Sequence, residues 1–138
     1  MKKYFVLAMA FVFVSTTSAF AANMVKPGFF EQWLESKKPV VIVDIQPADE
    51  FEKHHFNGSI ETNAFLAKTD VDKKKLDAAA EKIKASKDDV AIICPRGKSG
   101  AANTYEYLKS KGIAESRLYI LEGGIAGWPY KDMLKSGR

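Results

Sequence analysis

Two stretches of the chain are almost continuously apolar and rich in β-branched residues, "VVIVDI" at 40–45 and "DVAIIC" at 89–94. A short run without polar alternation is the pattern of a strand covered on both faces, as in a parallel sheet. "RLYIL" at 117–121 is a third strand candidate, and "SIETNAF" at 59–65 a weakly defined fourth. Between them, apolar residues recur at helical spacing. "PGFFEQWLESKKP" at 27–39 predicts a short helix carrying Phe29, Phe30, Trp33 and Leu34 and closed by Pro39. "PADEFEKHHFNG" at 47–58 opens as a short acidic helix and ends in a turn at Asn57-Gly58. Residues 73–86 set Leu76, Ala79, Ala80 and Ile83 on one face with lysines opposite, a half-buried surface helix. In "GAANTYEYLKSKG" at 100–112, Ala101, Tyr105 and Leu108 share a face and Gly112 is placed to end the helix. A last helical segment is expected over 130–135. Strands alternating with helices predict an α/β fold of three layers, a mainly parallel sheet flanked by helices.

The first residues stand apart from this pattern. Lys2 and Lys3 precede an apolar run over 4–14, and Ala19-Phe20-Ala21 offers a small-residue cleavage site. These are the three parts of a secretory signal peptide. The run falls short of the roughly 20 apolar residues that a spanning helix needs. The expectation is a cleavable signal over 1–22, a single domain over 23–138, export to a periplasm, and no stable membrane insertion after cleavage. A chain of 138 residues, 46% hydrophobic and 28% charged, suits one domain. Losing Lys2 and Lys3 lowers its net charge from +4 to +2. With no basic stripe among aromatics, that balance speaks against a nucleic-acid partner. The lysine-rich run at 72–89 reads as the solvated face of an ordinary helix.

Cys94 is the chain's one cysteine, so no intramolecular disulfide can form, although exported proteins use paired cysteines as staples. It stands where a strand gives way to a helix, the end of a parallel sheet at which ligands gather. The loop after it, "PRGKSG", supplies Gly97 and Gly100, which let backbone N–H groups converge as an anion-binding nest. Arg96 and Lys98 add positive charge that draws anionic substrates, and Pro95 stiffens the strand exit. A thiolate is favoured at such a helix start. On the residues alone, a buried cysteine acting as a small core hydrophobe fits equally well. His54 and His55 are adjacent, which matches no usual zinc spacing. One of them is expected to make a structural hydrogen bond before Gly58, and neither a metal nor a cofactor is expected. Trp128 is assigned to the core, with Tyr130 at the pocket entrance.

Three segments, in this order, resemble the rhodanese-like domain across nearly all of 23–138. In "VVIVDIQPADEFEKHHFNGSI", Asp44, Glu50, Phe51, His55, Gly58 and Ile60 fall at matching positions. "IICPRGKSGAANTYEYLKSKGI" is similar to the active-site strand, cysteine loop and following helix, and "LYILEGGIAGW" matches a closing pattern through Leu121, Gly123, Gly124 and Trp128. The resemblance implies a sulfurtransferase. Cys94 is its nucleophile, residues Pro95, Arg96, Gly97, Lys98, Ser99 and Gly100 form the substrate and anion-binding loop, and no cofactor is required. It implies as partners a small anionic sulfur donor (thiosulfate, polysulfide or persulfide) and an acceptor that is a thiol, a protein or cyanide. The alternative is a persulfide carrier or binding module that does not turn over. The pattern Cys-x-x-Gly-x-Arg-Ser is followed at Cys94 and Gly97 but carries Ser99 and Gly100 at its last two positions, and Gln46 stands where the first segment commonly has arginine. Relatives of this fold with phosphatase or arsenate-reductase activity rely on an arginine that forks to two oxygens. Ser99 and Gly100 stand where it would be.

Overall fold

The computed structural model describes residues 22–138, so all of the expected signal segment except Ala22 lies outside the described residues. The two β-branched runs form the middle of the sheet. β2 (Val40–Asp44) and β5 (Asp89–Ile93) pair in parallel from Val40 opposite Asp89 to Asp44 opposite Ile93. β6 (Leu118–Leu121) flanks β5, and two-residue strands complete the edges: β1 (Met24–Val25) beside β6, and β4 (Ile60–Glu61) beside β2. The order is β1-β6-β5-β2-β4, with every pairing parallel.

β5 shows why no polar residue interrupts its run. Val90 and Ile92 lie in one apolar cluster and Ala91 and Ile93 in the other, all fully buried. The first face is covered by α4 (Asp77–Lys84), through Ala79, Ala80 and Ile83, and by α5 (Ser99–Ser110), through Ala101, Tyr105 and Leu108. On the second face α1 (Pro27–Glu35) delivers Phe30 edge-on to Phe56, at 5.1 Å between ring centres, and to Trp128, at 5.7 Å. Each large aliphatic or aromatic side chain buried this way contributes about 1.5–3 kcal/mol. Gly112, at φ +90°, ends α5 by the left-handed turn that glycine permits.

Two expected elements differ. The helix over 73–86 is two helices, α3 (Asp70–Lys74) and α4, separated by Lys75 and Leu76. Thr69 caps α3 by accepting the Asp72 N–H at 3.2 Å, and the chain then bends to sink Leu76 completely. The segment over 130–135 is helical only in its first half. A 3₁₀ turn at Lys131–Met133 leads into β7 (Leu134–Lys135), antiparallel to β3 (His55–Phe56). Strand pairing takes Leu134 and Lys135 out of the helical pattern, and Met133 and Leu134 pack against the second cluster.

Candidate active site

Cys94 follows β5 directly, at the carboxyl edge of the sheet. Its residue surface is 2% exposed, yet it lines a cavity of about 330 Å³ together with Pro95, Arg96, Lys98, Ser99 and Gly100. The cysteine is thus both core-packed and open to a cavity. The Gly97 N–H donates to Cys94 Sγ at 2.8 Å, and such a bond strengthens when the acceptor carries negative charge. α5 begins at Ser99, and no side chain caps it. Its first N–H groups have no intrahelical partners, and together they make an anion-favouring helix start beside the sulfur.

The loop is held from behind. The turn over 122–127 donates Ile125 N–H to the Cys94 carbonyl at 2.9 Å and Ala126 N–H to the Pro95 carbonyl at 3.0 Å. Because a trans peptide points its C=O and N–H in opposite directions, the Arg96 N–H faces away from the Ala126 amide. Two glycines allow this close approach. A Cβ on Gly97 (φ +70°) would lie 2.8 Å from Leu121 O, and one on Gly124 (φ +61°) would lie 2.6 Å from both Arg96 N and Gly97 N. Trp128 anchors the turn, buried against Phe30 and Phe56 with its Nε1–H donating to Tyr130 O at 2.8 Å.

All six residues of the proposed binding loop therefore converge on one centre, five lining the cavity and Gly97 bonding to the sulfur. Arg96, Lys98 and Ser99 are exposed, and Gly100 is buried. Tyr130 is not at the entrance. Its ring packs 5.1 Å from Trp128 on the second cluster, and a hydrogen bond to Glu31 holds its hydroxyl pKa above the usual value. The aromatic pair serves the core, and the Tyr130 hydroxyl lies over α1 beside Gly28 and Glu31. Three cavity residues were not among the expected site residues: Glu50 on α2 (Ala48–Lys53), and Phe65 and Leu66 after β4. All follow the carboxyl ends of neighbouring strands, where the strand-end rule directs attention.

His55 is the structural histidine: its Nδ1–H donates to the Phe51 carbonyl at 2.9 Å and its ring stacks on Phe51 at 4.2 Å. Asp44, fully buried at the end of β2, accepts from Gln46 N–H at 2.8 Å and from Gln46 Nε2–H at 2.9 Å. Burial pushes its pKa up to about 6 despite those bonds, since an amide supplies no compensating positive charge. Among the described residues, no three or more His, Cys, Asp and Glu converge as a metal site, and no helix is long and apolar enough to cross a membrane.

A family model described as "Rhodanese-like domain" matches residues 26–131. Among solved structures, the chain is similar to a rhodanese-like domain protein from Staphylococcus aureus (19% identity, 84% of this chain and 99% of that one, TM-score 0.61). It is also similar to an As/Sb reductase from Leishmania major (15% identity, 84% and 86% covered, TM-score 0.63). A thiosulfate sulfurtransferase from Pseudomonas aeruginosa matches at 14% identity over 85% of this chain and 20% of that one, with a TM-score of 0.63. No curated protein matches the sequence.

Proposed function

The chain belongs to the rhodanese-like domain family, and from that premise we propose that it is a sulfurtransferase working through a persulfide on Cys94. The observation that carries this reading is the Cys94 sulfur on a cavity wall with the Gly97 N–H directed at it. In the first half-reaction the Cys94 thiolate attacks the outer sulfur of a sulfane donor. With thiosulfate, the S–S bond breaks, its electron pair leaves on sulfite, and Cys94 becomes a persulfide anion. The added sulfur projects about 2.0 Å further into the cavity, one disulfide bond length, toward the N-terminal amides of α5. Fixed N–H dipoles stabilise such an anion without giving it a proton. In the second half-reaction an acceptor thiolate, or cyanide, attacks that outer sulfur, and the bonding pair returns to Cys94 as thiolate.

Sulfur transfer fits the loop better than phosphoryl or arsenate chemistry. The forked arginine such reactions use is missing, since Ser99 and Gly100 stand where it would be, and a Cβ at Gly100 would press on the Phe65 ring at 3.1 Å and Ile45 at 3.2 Å. The pattern of Lys2, Lys3, the apolar run and Ala19-Phe20-Ala21 supports export and a periplasmic site of action.

The test is incubation of the purified protein with thiosulfate or polysulfide, followed by mass spectrometry and a turnover assay with cyanide or a thiol. The expected result is an adduct of about 32 Da, one sulfur on the cysteine, lost on adding acceptor and regained over many cycles. Cys94→Ser abolishes both loading and turnover. Stoichiometric loading without turnover would assign the protein as a carrier, and full activity in Cys94→Ser would refute both readings.

A further inference from the structure

The three unexpected cavity residues bear on which donor the site takes. Among the described residues five large hydrophobic side chains are exposed, and two of them, Phe65 (39%) and Leu66 (38%), are adjacent and line the cavity. This apolar wall is fixed in place. Phe65 N–H donates to the Ile45 carbonyl at 2.9 Å, and the Leu66 carbonyl accepts from Asn103 Nδ2 at 3.2 Å. Glu50 brings a carboxylate to the same cavity that Arg96 and Lys98 line. Arg138 engages the neighbouring acids Glu52 and Glu61, whereas Glu50 has no salt-bridge partner among the described residues. The cavity thus presents both signs of charge and an apolar surface.

Inorganic thiosulfate uses only part of this. It has no apolar group for Phe65 and Leu66 and no cation for Glu50. As a dianion it is also repelled by Glu50. The persulfide of an amino-acid thiol has eight heavy atoms, against five in thiosulfate, and offers a group to every part of this lining. It carries an ammonium for Glu50, a carboxylate for Arg96 and Lys98, and a methylene for Phe65 and Leu66.

Resting on the sulfurtransferase reading, we propose that the donor is a zwitterionic aminothiol persulfide of the cysteine type, selected by Glu50 together with the Phe65–Leu66 wall. In the transfer the Cys94 thiolate attacks the outer sulfur of R–S–SH. The S–S bond breaks with its electron pair leaving on R–S⁻, and the outer sulfur passes to Cys94 as Cys94–S–SH, with its proton.

The experiment measures the rate of Cys94 persulfidation, by alkylation and mass spectrometry, with cysteine persulfide, N-acetylcysteine persulfide and thiosulfate. Wild-type, Glu50→Gln and Glu50→Lys proteins are compared; the position is exposed, so both variants are expected to fold. Glu50→Gln is expected to slow cysteine persulfide by about fivefold, the upper range for an exposed charge pair, and to speed thiosulfate. Glu50→Lys moves both rates further in the same directions. N-acetylcysteine persulfide, which lacks the ammonium, is expected to load wild-type protein as slowly as cysteine persulfide loads Glu50→Gln. Equal effects of the Glu50 variants on all three donors, or no effect on any, overturn the donor assignment and leave sulfur transfer standing. Failure of every donor to load Cys94 overturns the sulfurtransferase reading itself.

Discussion

Gly124→Ala tests whether the turn behind the cysteine loop sets its geometry. Gly124 sits at φ +61°, and an alanine Cβ there would lie 2.6 Å from Arg96 N and Gly97 N, besides overlapping the Cys94 carbonyl oxygen. Ordinary contact starts at 3.4 Å, so the two backbone segments must separate by at least about 0.8 Å. The left-handed conformation costs an L-residue about 1–2 kcal/mol, and forcing apart packed backbone adds about 1–3 kcal/mol, giving about 2–5 kcal/mol of lost stability. Gly58→Ala isolates the first part. Gly58 has φ +79° with nothing within 4 Å of the built Cβ, so its cost is about 1–2 kcal/mol alone. The separation also stretches the 2.8 Å bond from Gly97 N–H to the sulfur. A misplacement of this size costs on the order of 10²-fold in rate. Urea unfolding gives the stabilities, and the rate of persulfide formation on Cys94 gives the activities. If Gly124→Ala equals Gly58→Ala in stability and loads sulfur at the wild-type rate, the turn does not hold the loop and the argument from its glycines is wrong.

Two further outcomes follow from charge. Asp44 titrates at about 6 in the folded chain, against 3.8 ordinarily, so between those values the folded state binds the extra proton. Stability is therefore fully present below pH 4 and falls as pH rises to 6, by about 3 kcal/mol. Urea midpoints from pH 3.5 to 7 (about the span of that window) should show the loss in wild-type and not in Asp44→Asn, and an equal slope in both removes Asp44 as the cause. Arg96→Gln with Lys98→Gln should slow loading by thiosulfate about tenfold at low salt and flatten its salt dependence, since exposed cations raise the local concentration of anions. An unchanged salt slope would show that these two side chains do not draw the donor in.

The sheet was legible where pattern alone decides it. β2, β5 and β6 announce themselves because strands buried on both faces leave no room for polar residues. α5 was legible from Ala101, Tyr105, Leu108 and the stop at Gly112. β1, β3 and β7 were not, for each is two residues long and exists through its partner. His55 and Phe56 carry no local sign of pairing with Lys135 and Leu134. The single helix expected over 73–86 gives way to α3 and α4 because the chain bends to bury Leu76, and Thr69, which caps α3 through the Asp72 N–H, marks the earlier start. In the site, Cys94 and its loop lie consecutively and could be read from one segment. Glu50, Phe65 and Leu66 arrive from two other strand ends, and β4 was too short for its exit to be traced.

The spacing of the three segments has a mechanical reason. The closing segment contributes no side chain to the cavity, yet its backbone determines which way the cysteine loop faces. Trp128 is packed among Phe30 and Phe56, which come from the front of the chain, and this fixes the turn over 122–127 against the sheet. The Ile125 and Ala126 amides then take the Cys94 and Pro95 carbonyls, leaving no free choice of orientation for the peptides between β5 and α5. Gly97 and Gly124 are the two positions where backbone meets backbone too closely for any side chain. An anion site built from amides needs its carbonyls turned away and satisfied elsewhere, because a carbonyl facing the sulfur would repel the same charge that the amides attract. In the proposed sulfur transfer, Trp128, Gly97 and Gly124 would therefore act through peptide orientation rather than through contact with a substrate.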